Sequence, residues 1–244
     1  MKKVALLKSW KEDCLLMEQY IKQKAFDGSP LQILEAGCGQ GWPFDLQGIR
    51  FKLTGVDIDK NVLELRRRRA NDLTELIVCD LRLLDFGKAR FDVVYCSYVL
   101  EHIEDAKFVL EKFSKCIKSK GILILRIPDR NSVWGFVTRF TPFWFHIFHK
   151  KYIRGVRNAG KTGFGPFPTF HDPVVSRSGV HEFCRQHDFI IKEEYGHGYY
   201  LDQLRFTKFL IYVFVRCMSI ISLRKLAWEH NDLTYILEKR VSGE

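Results

Sequence analysis

Three glycines at alternate positions, Gly37, Gly39 and Gly41, follow a short apolar run that closes on Glu35. Glycine permits a sharp turn and lets a ligand approach the main chain with no Cβ in the way. A strand feeding such a turn is where open α/β sheets hold nucleotide-like cofactors. Trp42 stands where the dinucleotide fingerprint needs its third glycine, which disfavours NAD or FAD. Two more carboxylates keep the same register. Asp57 closes the next apolar run, about twenty residues on, where a carboxylate can accept hydrogen bonds from ribose hydroxyls. Asp80 closes the run Glu75 to Cys79, beside the space an adenine would fill. Acids at successive strand ends, in register with Glu35, are hard to ascribe to solubility alone.

The elements that must position these residues alternate regularly, as in a parallel α/β sheet. An amphipathic helix is expected over Leu15 to Phe26. Strands are expected at 31–35, 51–56, 75–79, 91–96 and 122–127, with a turn at Lys120-Gly121 before the last. The stretch Phe91 to Cys96 is nearly all apolar, which fits a central strand covered on both faces. Asp59 is placed to cap a helix through Leu63, Leu65 and the run Arg66 to Arg69, whose charges read as a solvated face. A second helix is expected from about Ile103 to Lys118.

Together these features resemble the class I S-adenosylmethionine (SAM)-dependent methyltransferases over roughly residues 31–127. The resemblance implies an α/β, Rossmann-like, seven-stranded and mostly parallel sheet with helices on both faces. It implies SAM as cofactor, with Glu35, Gly37, Gly39 and Gly41 in the first motif, Asp57 on the ribose, and Asp80 with the Leu81 backbone at the adenine. The stretch FDVVYCSYVLEHIED resembles the family's strand-four motif and would set Cys96, Ser97 and Tyr98 against the cofactor. Some relatives carry Glu where this chain has Tyr98 and bind a divalent metal with it and a Glu-His pair like Glu101-His102. Tyr98 supplies no hard oxygen ligand of that kind, so no metal is expected. His102 reads first as the residue that starts the following helix and second as a base.

Beyond the fifth strand the chain changes character. Residues 133–170 hold eleven aromatics, six Lys or Arg and no Asp or Glu, and end in a Gly/Pro-rich loop. A helix from Ser176 to Gln186 and a strand from Phe189 to Tyr195 return to the regular plan. A second apolar segment, Arg205 to Leu223, follows. On a helix, Arg205, Lys208, Tyr212, Arg216 and Ser219 would fall within about 80° of one another. Its uncharged runs fall short of the roughly 20 residues that span a bilayer. It fits either a membrane interface or a buried helix. Leu233 to Val241 reads as a closing antiparallel strand. Residues 1–244 are thus expected as one domain, with a SAM-binding core at 31–127, a substrate cap at 128–175 and an apolar helical insertion at 199–230. Both insertions leave strand ends on the cofactor edge, where ligands bind.

An acid-free aromatic and basic cap suits a hydrophobic small molecule or a lipid-like acceptor, and peripheral membrane contact, better than nucleic acid. Among the histidines of this half (His146, His149, His171 and His197), His171 is the favoured candidate base. Seven cysteines without a CxxC pair, and an N-terminal apolar run too short for a signal peptide, fit a cytoplasmic protein. The expected activity is methyl transfer to a hydrophobic acceptor, at oxygen. The net charge of +10 keeps a nucleic-acid methyltransferase open as a rival, beside a non-catalytic SAM-binding module.

Overall fold

The computed structural model describes residues 4–25, 28–153, 155–160, 165–170, 172–198 and 208–241. Its centre is a mixed eight-stranded sheet. In chain order the strands are β1 (Ala5–Leu7), β2 (Leu31–Ala36), β3 (Phe51–Asp57), β4 (Glu75–Val78), β5 (Phe91–Ser97), β6 (Ile117–Pro128), β7 (Phe189–His197) and β8 (Asp232–Lys239). They lie side by side as β1-β7-β8-β6-β5-β2-β3-β4. Only β8 runs antiparallel to its neighbours, β6 and β7.

Alternation along the strands builds two cores. Consecutive residues point to opposite faces, so Leu34, Val94, Leu123 and Leu237 enter one cluster while Ile33, Val93, Ile124 and Ile236 enter the other. On the first face pack α3 (Ala106–Cys116) and α6 (Arg177–Gln186), through Phe113 and Phe183. On the second lies α1 (Trp10–Lys22), through Met17 and Ile21. α2 (Lys60–Arg69) starts where Asp59 accepts from the backbone N–H groups of Asn61 and Val62, at 2.9 and 3.3 Å. That is the cap its position predicted.

Three expectations need correction. The sheet has eight strands rather than seven, because Ala5–Leu7 pairs in parallel with β7. Three residues are too few to show a period. The first helix begins at Trp10, ahead of Leu15, because Ser9 caps it through the Glu12 N–H. Strand β6 begins at Ile117 rather than Ile122, and the Lys120-Gly121 turn is an irregularity inside the β5–β6 ladder.

The β6–α6 connection holds α4 (Val133–Phe140) and α5 (Phe143–Phe148), followed by a π-helical turn at His149–Ile153. The β7–β8 connection holds α7 (Lys208–Ile221), which packs against α4. Arg205, the first residue of the expected apolar helix, lies outside the described residues, as do residues 199–207 as a whole. Among the described residues no helix is long and apolar enough to cross a membrane.

Candidate cofactor and acceptor sites

The glycine turn follows β2 and is held from two sides. Gly37 and Cys38 donate their N–H groups to the Val56 carbonyl, at 2.8 and 3.0 Å. Gly37 has φ +69°, and a Cβ there would run into the Val99 side chain. Gly39 has φ +54° and opens on free space, so a ligand can lie against its backbone. Gly41 has neither a positive φ nor a close neighbour.

The arginine run corrects the reading of a wholly solvated face. Arg67, Arg68 and Arg69 are exposed, but Arg66 is fully buried. Its Nη1 donates to the Cys38 carbonyl at 2.7 Å and lies 2.7 Å from Glu35 Oε2. Its Nε and Nη2 reach Asp72 at 3.0 and 2.8 Å, a two-pronged pairing that suits the planar guanidinium. Burial opposes the charge, but Asp72 and Glu35 outweigh it and hold Arg66 above its ordinary pKa. Burial pushes the Glu35 carboxyl up to about 8, against the pull of Arg66. Glu35 therefore serves the loop from below. A visible signal existed: Arg66 lies three residues after buried Leu63, on the same helical stripe.

Above the turn is a cavity of about 650 Å³ lined by Gly37, Gly39, Asp57, Asp80, Leu81, Ser97, Tyr98 and His102, among others. Asp57 accepts from Gly39 N–H at 2.9 Å and from Asp59 N–H at 3.0 Å. A carboxylate has about four acceptor sites, so capacity remains toward the cavity. Asp80 is clamped by Arg82, whose Nη2 lies 2.7 Å from Oδ2 and whose Nε lies 3.1 Å from both oxygens. That clamp holds the Asp80 carboxyl below the usual carboxylate range. Cys96 and Glu35, expected near the cofactor, are buried behind the lining and do not reach this cavity; nor does Gly41.

A second cavity of about 540 Å³ adjoins the first, and His102, Phe167 and Pro168 wall both. Phe143 and His146 of α5 line it, as do the cations Arg130, Arg139 and Lys150. Arg139 Nε is buried there without a hydrogen-bond partner among the described residues. His102 ends a 3₁₀ turn, Leu100–His102, and its Nδ1 lies 2.7 Å from the Pro168 carbonyl. A carbonyl can only accept, so Nδ1 carries the proton and Nε2 keeps its lone pair while the ring is neutral. Burial lowers the His102 pKa and favours that neutral ring. Glu101 also lines this cavity. It is 6% exposed, its Oε2 has no hydrogen-bond partner among the described residues, and burial pushes its carboxyl up to about 8.

Residues 34–125 match the family model of the methyltransferase domain. The chain is similar to a ubiquinone biosynthesis O-methyltransferase of Glaesserella parasuis, at 23% identity over 190 residues, covering 74% of each chain. It is 29% identical over 129 residues to a ubiquinone/menaquinone biosynthesis C-methyltransferase of Desulfotalea psychrophila, covering 49% of this chain and 51% of that one. Among solved structures, an S-adenosylmethionine dependent methyltransferase from Mesorhizobium loti superposes with a TM-score of 0.54 at 13% identity. That match covers 91% of this chain and 96% of the other. Over residues 34–125 the chain carries a class I SAM-dependent methyltransferase domain. The sheet as a whole has the expected Rossmann-like plan, with one more strand, β1, than the sequence suggested.

SAM fits the first cavity of this methyltransferase. Gly39 leaves room at the backbone, Asp57 offers acceptors for ribose hydroxyls, and Ile58, Val62, Leu81 and Ile103 give an apolar wall for an adenine. Tyr98 borders the cavity in a left-handed conformation, φ +55°, uncommon outside glycine. Its N–H donates to the Arg126 carbonyl at 2.8 Å, and the Arg126 guanidinium lies 4.9 Å from its ring. Buried Arg126 is paired in turn with buried Asp13 at 2.9 Å. None of these contacts follows from motif spacing.

The other histidines of the methyltransferase divide. His146 Nε2 lies 3.0 Å from Thr141 Oγ1 at the acceptor cavity. His197 is buried in β7 against Thr234 Oγ1, 2.7 Å away, and burial pushes its pKa down to about 3. It faces neither cavity. The favoured base, His171, lies outside the described residues. Among the described residues no three His, Cys, Asp or Glu side chains cluster as a metal site would require.

Proposed function

We propose that the protein methylates a hydroxyl oxygen of a hydrophobic, aromatic small molecule, with His102 as proton acceptor. The observation that carries this reading is the shared wall. His102 borders both cavities, and its Nδ1–H is committed to Pro168, so Nε2, 3.9 Å from Glu101 Oε1, is the ring nitrogen left to take a proton. SAM supplies a methyl group already activated on a sulfonium. The chain's own contribution is alignment, exclusion of water and removal of the hydroxyl proton. Phe143 and Phe167 supply apolar contact for a ring, while Arg130, Arg139 and Lys150 suit an anionic substituent. Both relatives described above are named for quinone biosynthesis, which supports a phenolic acceptor. A nucleic-acid acceptor is less well supported, because the cations of the cap stand among exposed aromatic and aliphatic side chains, a poor surface for a phosphate backbone.

The test is transfer of an isotopically labelled methyl group from SAM to a panel of phenols, catechols and alkyl-substituted quinols. Formation of a methyl ether is expected, with kcat reduced roughly 10²- to 10⁴-fold in His102→Ala, the range for loss of a general base. Methylation only at carbon, or only of RNA, would refute the reading.

A further inference from the structure

A helix that covers a soluble core turns apolar side chains inward and polar ones outward. Helix α7 follows that rule on its inner side only. Val215 is fully buried, Ile211 and Met218 are half-buried, and Ser219 is buried and donates through Oγ to the Leu226 carbonyl at 2.8 Å. Tyr212 meets the Trp228 ring edge-on at 5.4 Å, and the Arg216 guanidinium lies 4.4 Å from the same ring centre. The outward arc carries Phe209, Leu210, Val213, Phe214, Ile220 and Ile221, all exposed, the first 73% and the last 74%. Leu223, just past the helix, is 81% exposed. Single exposed apolar residues are ordinary, but a contiguous set of this size marks an interaction surface.

The same character continues on the elements beside it. Phe140, at the end of the α4 helix that packs on α7, is largely exposed. Helix α5 has no buried residue and bares Trp144, Phe145 and Phe148. Cations complete the surface. A cavity of about 570 Å³ at the C-terminal end of α7 is lined by Arg216, Arg224 and Lys225, which with Arg177 outnumber the acids Asp129 and Glu229 there. None of the three has a carboxylate partner among the described residues. From Lys208 to Trp228 the chain contains no Asp or Glu.

We propose that this face docks on an anionic lipid bilayer, with the outward arc of α7 in the boundary between headgroups and acyl chains. Arg216, Arg224 and Lys225 then meet lipid phosphates. Fourteen residues of helix reach about 21 Å, short of the ~30 Å hydrocarbon core, so α7 lies along the surface rather than through it. An exposed apolar arc beside a cluster of basic side chains is the composition that suits that position. The acceptor cavity belongs to the same cap: Phe143 and His146 of α5 line it while Trp144 and Phe145 face outward. An apolar acceptor thus enters from the lipid. This route rests on the proposed acceptor class; the docking does not.

The experiment is flotation of the full chain with vesicles of phosphatidylcholine alone, or of phosphatidylcholine with phosphatidylglycerol. The protein is expected to float with the anionic vesicles and to be released as salt rises. A basic residue near an anionic surface strengthens binding roughly fivefold, so Arg224→Glu with Lys225→Glu should weaken it at least about tenfold. Ile220→Asp with Ile221→Asp should do the same, with SAM binding by calorimetry unchanged in both. Wild-type protein that stays unbound to both vesicle types would overturn the proposal. So would a dimer in solution that Ile220→Asp with Ile221→Asp splits, since a second copy would then cover the face. Turnover of a water-soluble phenol without vesicles reports separately on the methyl-transfer reading.

Discussion

The Arg66 guanidinium, on α2, lies 2.7 Å from the Cys38 carbonyl in the middle of the glycine turn. An arginine in a run of four is thereby the post on which the cofactor loop rests. Replacing Arg66 by Ala leaves Glu35 and Asp72 without their cation, and breaking a buried pair costs about 3–5 kcal/mol. Arg67→Ala, on the exposed side, should change stability by less than about 0.5 kcal/mol. Urea denaturation of both variants checks the contrast; equal losses would show that burial at Arg66 is not what matters.

The glycines should divide in the same way. Gly37→Ala meets Val99 and demands a left-handed alanine, so a marked loss of thermal stability and of SAM affinity is expected. Gly41→Ala has a permissive backbone and open surroundings, and should keep both within experimental error. Melting curves with and without SAM read the difference. A tolerant Gly37 would remove the geometric case for the turn.

Asp57→Ala removes the carboxylate that both braces Gly39 and faces the cofactor cavity. Hydrogen bonds to a charged group contribute about 1.5–3 kcal/mol each, so calorimetry should show SAM affinity falling at least about tenfold. Asp80→Ala should cost less, because Arg82 already occupies that carboxylate. A larger loss at Asp80 than at Asp57 would reverse the assignment of the main cofactor acid.

Glu101 makes stability depend on pH. Burial raises its carboxyl from 4.5 to about 8, so between those values the folded chain holds a proton that the unfolded chain has released. Stability from this group is full below pH 4.5 and is lost as pH climbs through 8. Glu101→Gln cannot ionise, so its melting temperature should match wild type near pH 5 and exceed it increasingly toward pH 8.5. Parallel curves across that range would show that Glu101 is already ionised in the fold.

The cofactor half was largely legible in the chain because its signals are local. Apolar runs marked β2 to β5, Asp59 marked the start of α2, and the cavity gathers Gly37, Gly39, Asp57, Asp80 and Leu81 as their spacing suggested. What escaped depends on contacts distant in sequence. β1 needs β7 to exist as a strand, and Arg66 needs the Cys38 carbonyl 28 residues away. The spacing presents His102 as a helix start, but it closes a 3₁₀ turn and α3 begins only at Ala106, capped by Asp105. The setting of His102 comes from Pro168, 66 residues on, which no periodicity could pair with it. Helix α7 was readable as a helix with a polar stripe, but which side of it meets the protein is decided by Trp228 and Leu226.

Because Phe167 and Pro168 form a wall common to both cavities, any shift of it by one ligand changes the boundary met by the other. Thermodynamic linkage then makes the effect reciprocal: whatever factor SAM lends to acceptor affinity, the acceptor lends back to SAM. Demethylated cofactor, smaller by a methyl group and without the sulfonium charge, should couple to the acceptor by a different factor. A thin partition shared by two binding sites is in this way also a means of sensing whether the reaction has taken place.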